Sequence, residues 1–350
     1  MMSKDYIKIF EAIDAQRAKQ EKAKIEAMQA SKMYPKSFSF PITMQFELTG
    51  ACNLRCKHCY NRSGDKDRVK YTCMTPQRWK NLARDIVADG GIFQCIISGG
   101  EPLLLGDELF EIMDILHNDG TSFVVITNGM LLTKEKAKRF SKYRYFWFQI
   151  SIDGSIAELH DEFRGVNGSW ENAVKGAMEI SDNGIPLVIA HSVTPTTLPY
   201  LEDMVEFAYK IGAGSIMVGE ILPSGRAVSN TDILLNHEQR NALYEKINEL
   251  NQKYAGRIKV ERSMNISSSM ARYTAQPNSG GIIRPNGDFR LDCMAPFTIG
   301  NVLEEPIHLI WDKKGKDAWH NPKVIEFINS IDSDKQHGNI INHVSADVRL

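Results

Sequence analysis

Between residues 44 and 253 the chain repeats one pattern: short runs rich in Val, Ile and Phe, each followed by a longer stretch patterned as a helix. The β-like runs are 44–50, 93–98, 123–127, 145–153, 186–193 and 215–220; the helical stretches are 76–89, 106–118, 133–141, 170–183, 198–211 and 236–253. Strands that alternate with helices build βαβ units, whose right-handed crossovers lay the strands parallel. Six such units fall short of the roughly 250 residues that an eight-fold barrel uses. The expected fold is therefore α/β: a partial (β/α)6 TIM-like barrel, with its chemistry in the loops at the strand C-terminal ends.

Other segments fill out the organisation. Residues 1–43 read as one or two charged helices, ended by Pro35 and Pro41, with Ile9, Phe10 and Ile13 on one side. The barrel takes 44–255. Beyond it the texture changes to a small β-rich C-terminal domain at 256–331: a strand at 258–263, two runs at 281–285 and 289–293 flanking Asn286-Gly287, and a short helix near 306–315. Asn-Gly between apolar runs is a strong hairpin signal. Residues 332–350 read as a polar tail, frayed as chain ends often are.

With 43% hydrophobic residues and a net charge of -1 over 350 residues, disorder and a fibrous chain are excluded. Near-neutrality also argues against nucleic acid or anionic lipid as partner, since both need clustered Lys and Arg. The charged N-terminus lacks the apolar core of a signal peptide, and the most apolar stretch, at 143–152, is too short for a bilayer. A soluble, cytoplasmic protein is expected.

The six cysteines are unevenly placed: Cys52, Cys56 and Cys59 crowd into eight residues directly after the first strand, while Cys73, Cys95 and Cys293 are scattered. A disulfide framework belongs to short secreted chains, so crowded thiols in a reducing compartment point to metal or redox chemistry. The spacing Cys-x3-Cys-x2-Cys supplies three thiolates, enough for three irons of a [4Fe–4S] cluster with the fourth iron left open. A structural zinc site would need a fourth Cys or His.

The loop Ala51-Cys52-Asn53-Leu54-Arg55-Cys56-Lys57-His58-Cys59-Tyr60 resembles the signature of the radical SAM enzymes. Members carry CxxxCxxC after the first strand of a partial (β/α)6 barrel, often with an aromatic residue before or after the last Cys. The resemblance implies that the open iron binds S-adenosylmethionine (SAM), that the reduced cluster cleaves it to a 5′-deoxyadenosyl radical, and that this radical abstracts hydrogen from a substrate. It also implies a reducing partner such as flavodoxin or ferredoxin. Tyr60 then falls near the adenine. Ser98-Gly99-Gly100-Glu101-Pro102, closing the second strand, is similar to the GGEP motif, with Glu101 toward the methionine ammonium. Glycines let a ligand approach the main chain, and a carboxylate complements an ammonium. Thr127-Asn128-Gly129 and Ser151-Ile152-Asp153-Gly154 resemble the TNG and SxDG segments, which bring Asn128, Ser151 and Asp153 toward SAM. His160-Asp161 with Arg164-Gly165 resembles HDxxRG, whose Arg pairs with the SAM carboxylate. Glu220 and Pro223-Ser224-Gly225-Arg226-Ala227 line the cleft in the same comparison.

The order of motifs looks most like the peptide- and protein-modifying branch with a C-terminal SPASM or twitch domain. Residues 283–293, 299–302 and 309–311 resemble that domain, yet Cys293 is the one cysteine there, too few for an auxiliary cluster. The expectation is a degenerate domain that keeps its fold without its clusters. Cys293 is then either a hydrogen donor to a substrate radical or a buried remnant of an ancestral site. Three functions follow: cross-linking or epimerisation of a ribosomally made peptide, radical chemistry on a small metabolite in cofactor or tetrapyrrole biosynthesis, and a non-catalytic iron–sulfur sensor.

Overall fold

The structure is a computed structural model and describes residues 5–263, 266–331 and 347–350; most of the expected tail, 332–346, lies outside the described residues. Seven strands alternate with helices in the first three quarters: β1 Thr43–Glu47, β2 Gln94–Ser98, β3 Ser122–Thr127, β4 Tyr145–Ser151, β5 Leu187–Val193, β6 Ser215–Glu220 and β7 Lys259–Arg262. The helices are α1 Tyr6–Ala30, α2 Lys66–Lys70, α3 Pro76–Ala88, α4 Asp107–Asn118, α5 Lys134–Phe140, α6 Ala157–Arg164, α7 Ser169–Asp182, α8 Leu201–Lys210 and α9 His237–Lys253. After them come α10 Ile266–Ala275, β8 Gly280–Ile283, β9 Asp288–Arg290, β10 Phe297–Asn301, α11 Ile307–Ile310, α12 Pro322–Ser330 and β11 Val348–Arg349.

The α/β class and the parallel order hold. Strands β1 to β7 are parallel neighbours in sequence order. The strand at 259–262, read as part of the second domain, continues this parallel run beside β6. β8 pairs in parallel with β1, Thr43 opposite Gly280, so the C-terminal hairpin belongs to the same eleven-stranded sheet. The sheet order ends on β7 and β11, so the barrel is open. The hairpin turns where the Asn-Gly signal placed it, with Gly287 at φ +88°.

Alternation in the strands sets the two faces. Phe148 and Ile150 of β4, Leu187 and Ile189 of β5, and Ile216 and Val218 of β6 are buried on the side of α7 and α8, which return Ala177, Ile180, Met204 and Val205. Between them, Gln149, Ser151, Ala190, Ser192 and Met217 are half-buried on the opposite face. Polar side chains collect on the face that the helices do not cover, with His191 of β5 an exception, buried on the same side as Leu187 and Ile189. Helix starts follow local chemistry: Thr75 accepts from Arg78 N with Pro76 as first helical residue, and Asn236 and Gln239 form a capping box on α9.

The N-terminal extension is one 25-residue helix. Its first amides donate to Asn241 Oδ1 of α9, Asp14 pairs with Arg262 of β7, and Phe10 packs edge-on against Tyr244. It covers α9 and α10 while leaving Ile9 and Ile13 exposed. Among the described residues, no helix is long and apolar enough to cross a membrane.

Candidate active site at the cysteine loop

The loop between β1 and α2 is fixed by its neighbours on three sides. On one side, Gly100 N donates to Thr49 O (2.7 Å) and Glu101 N to Ala51 O (2.9 Å), tying it to the turn after β2. On another, Arg55 N and Lys57 N donate to the carbonyls of Arg164 and Phe163 at the end of α6 (3.0 Å each). From the third, Arg226 clamps it: its amide donates to Cys59 O (3.1 Å), Nε to Cys56 O (2.8 Å) and Nη1 to Asp65 Oδ1 (2.7 Å). Backbone bonds from three separate elements hold the thiols in place before anything binds.

The glycines serve this assembly. A Cβ on Gly100 would stand 1.9 Å from Ala51 O, and one on Gly225 would stand 2.3 Å from Cys59 O, with Gly225 also at φ +56°. Gly100 therefore admits the cysteine loop's own backbone, a demand on this position besides the ligand access that the sequence suggests. Both Gly99 and Gly100 still line the cavity.

That cavity, about 150 Å3, gathers the loop and the strand ends: Cys52, Cys56, Cys59, Tyr60, Gly99, Gly100, Asn128, Ser151 and Arg164. All three loop cysteines and six of the expected SAM-side residues thus meet in one place. Arg226, expected in the cleft, lines it too, and so do two residues that the sequence reading passed over, His58 and Ser63. His58 stacks on Phe163, rings 3° from parallel and 4.5 Å apart. Its signal was available, since it is the ring immediately before the last Cys.

Other expected residues stand behind the wall. Glu101 is fully buried, and its carboxylate is turned inward: Oε1 accepts from Leu103 N (3.0 Å) and Thr127 Oγ1 (2.7 Å), Oε2 from Asn128 N (2.9 Å). It fastens the turn after β2 to the turn after β3. Pro102 opens the short 3-10 turn behind it. Asp153, also fully buried, receives Arg164 through Nε (2.6 Å) and Nη2 (2.5 Å), and its other oxygen accepts from Ser192 N (2.7 Å). Glu220 accepts from Tyr244 OH (2.6 Å) and Arg240 Nε (2.9 Å), away from the thiols. Cys293 is not in the cavity lining; its Sγ lies 3.7 Å from Asp292 Oδ1.

Burial sets the electrostatics. It pushes the Cys52 thiol up to about 11 and raises Cys56, where Arg164 acts in the opposite direction. The Cys52 and Cys56 thiols are therefore protonated near neutrality, and loading them with metal releases protons. Burial, the largest single influence, would raise the Asp153 carboxyl as well, but Arg164 together with His58, His191 and His160 outweighs it and holds the group at about 2. His58 is held down at about 4 by burial and by Arg164. Cys293 is raised well above its ordinary value by burial and by Asp292, and its charge is felt at Tyr60.

These residues fit a cluster better than a single ion. Among the described residues no group of three or more His, Cys, Asp or Glu side chains converges to hold one metal ion. Three thiols around one cavity suit a cube in which each binds its own iron; a closed tetrahedral zinc site would need a fourth ligand. Asn128, Ser151 and the Gly99-Gly100 main chain supply the polar groups that an amino-acid headgroup requires beside it.

Comparison with known proteins agrees. Residues 46–208 match the model of the Radical SAM superfamily. The AdoMet-dependent heme synthase of Oleidesulfovibrio alaskensis is 34% identical over 182 residues, 52% of this chain and 46% of that protein. The antilisterial bacteriocin subtilosin biosynthesis protein AlbA of Bacillus subtilis is 26% identical over 283 residues, 79% of this chain and 60% of that protein. The chain thus spans less than two thirds of either relative's length. Streptococcus suis SuiB, solved with S-adenosylmethionine, superposes with a TM-score of 0.64 at 17% identity over 89% of this chain and 72% of SuiB. SuiB bound to the precursor peptide SuiA superposes with a TM-score of 0.62, 17% identity and 90% and 71% coverage. Residues 46–208, with the three-cysteine loop and the strand ends that face it, are a domain of the radical SAM superfamily.

Proposed function

We propose that this chain is a radical SAM enzyme that modifies a ribosomally made peptide. The observation that carries the chemistry is the meeting of Cys52, Cys56 and Cys59 with Gly99, Asn128, Ser151 and Arg164 around one cavity. When bound, the cluster and SAM supply one-electron cleavage of a C–S bond and a carbon radical that takes hydrogen from the substrate. The chain's own residues hold and exclude. The three-sided clamp keeps the thiols fixed, Asn128 and Ser151 orient the amino-acid headgroup, and the His58–Phe163 stack walls the site against water.

The peptide reading is supported by the fold likeness to SuiB over nine tenths of the chain and by AlbA as a relative over 79% of it. Within it, residues 256–331 act as a SPASM/twitch-like segment without auxiliary clusters, held by ion pairs in place of iron: Arg284 and Arg290 both reach Asp347. A second reading, a tetrapyrrole substrate, is favoured by the 34% identity to a heme synthase.

Anaerobic reconstitution tests both. The expected result is about four irons and four sulfides per chain, an EPR spectrum altered by SAM, and 5′-deoxyadenosine on reduction. No iron, or no cleavage of SAM, overturns the radical SAM enzyme. A mass change in a precursor peptide encoded beside the gene supports the first substrate, and a mass change in Fe-coproporphyrin III supports the second.

A further inference from the structure

Arg164 does not use its whole guanidinium on one partner. Nε and Nη2 both rest on a single oxygen of Asp153, at 2.6 and 2.5 Å, and the remaining edge presents Nη1 to Cys56 Sγ at 3.5 Å. Asp153 is itself located by β5, through Ser192 N on its other oxygen, and by α6, where His160 Nδ1 accepts from the Asp153 amide (3.1 Å). Both members of the pair are buried, Asp153 fully and Arg164 at 7% exposure. A buried charge beside a cluster ligand acts with little screening, and hydrogen bonds and net charge at the ligand sulfurs set the potential of an iron–sulfur cluster.

We propose that Asp153 and Arg164 form a charge-compensated positioning pair for the cluster held by Cys56. Asp153 aims the guanidinium and cancels its charge, Arg164 Nη1 donates to the Cys56 sulfur, and together they set how readily the cluster accepts an electron. This rests on the radical SAM reading of the site. It also assigns Arg164 a partner other than the SAM carboxylate that the resemblance implies.

The two residues carry opposite charges, so removing each shifts the potential in an opposite direction. Asp153→Asn keeps an oxygen where both Arg164 bonds land and removes only the negative charge. The excess positive charge then favours the reduced cluster, and the potential rises. Arg164→Gln removes the positive charge and the N–H donor, leaves Asp153 uncompensated, and lowers it. The double variant restores neutrality and falls between the two.

The experiment is an EPR-monitored redox titration of the reconstituted full chain without SAM, using dithionite and mediators, with iron content measured for every variant. Each single variant is expected to move the one-electron equilibrium at least tenfold, about 59 mV, Asn upward and Gln downward. A merely structural role would lower iron content or shift both variants the same way, and either a shared direction or two unmoved potentials at full iron load overturns the proposal. If Arg164→Gln does not hold iron, Asp153→Asn decides alone: a potential at or below wild type overturns the proposal. Wild-type protein without iron overturns the site reading and this proposal together, whereas full iron with unmoved potentials overturns the proposal alone.

Discussion

Removing the Glu101 carboxylate should unfold the clasp between two loops before it affects any ligand. Its two oxygens accept three hydrogen bonds inside a fully buried shell, two of them from main-chain amides, Leu103 N and Asn128 N. In Glu101→Ala the Thr127 hydroxyl can turn elsewhere, since it already accepts from Gly129 N (3.1 Å), but the two amides cannot. Each buried, orphaned donor costs about 1–3 kcal/mol, so the variant should lose about 2–6 kcal/mol of stability. In Glu101→Gln an oxygen at the Oε1 position keeps Leu103 and Thr127 satisfied, and the new NH2 faces Asn128 N. One donor is orphaned, and the loss should be about 1–3 kcal/mol. Urea denaturation of the apo chain under anaerobic reductant measures both, with the stability taken by linear extrapolation. Burial also raises the Glu101 carboxyl above its ordinary value, although its three donors act to lower it. Stability within about 0.5 kcal/mol of wild type for Glu101→Ala, together with lost SAM binding, would refute the reasoning. That pair of results would mean that the carboxylate faces the ligand.

Three further predictions follow from the same site. Replacing Cys52, Cys56 or Cys59 by Ala should abolish SAM cleavage, read as 5′-deoxyadenosine, with iron per chain falling; cleavage retained in any one would contradict the assignment. His160 is fully buried, accepts a hydrogen bond from Asp153 N, and is held down at about 4, chiefly by burial. Between pH 6.5 and 4 the unfolded chain therefore binds a proton that the folded chain refuses. Stability falls as pH falls through that window, by roughly 3 kcal/mol, and His160→Gln, which keeps an acceptor without titrating, should flatten the slope in pH-dependent urea melts. Cys293 lies outside the cavity lining, so Cys293→Ala should leave 5′-deoxyadenosine formation at the wild-type rate; loss of peptide product alone would mark it as the hydrogen donor.

Much of the fold was legible because the strands obey a period of two and the helices a period near 3.6. β6 has the bounds that its apolar run predicts, and α9 begins at the Asn236–Gln239 capping box. α6 was not legible: Ile156 offers no side-chain cap and the helix is eight residues long, so no start signal precedes it. Yet this helix carries Arg164 and supplies two of the carbonyls that hold the cysteine loop. His58 was missed because a histidine was not counted as an aromatic ring.

The sequence by itself determined the parallel α/β class, the order of the strand ends and the identity of the three thiols, because local periodicity and close spacing are encoded within a few residues of one another. Tertiary structure alone decided the direction in which each charged group is aimed. Glu101 and Glu220 turn away from the thiols to satisfy buried donors, and Asp153 turns onto Arg164. It also decided that the C-terminal hairpin continues the barrel sheet, through β8 beside β1, rather than forming a sheet of its own. Such choices depend on partners from 11 residues away, as Arg164 is from Asp153, to more than two hundred, as β8 is from β1, whose donors and acceptors must be paired once water is excluded, and no local pattern records them.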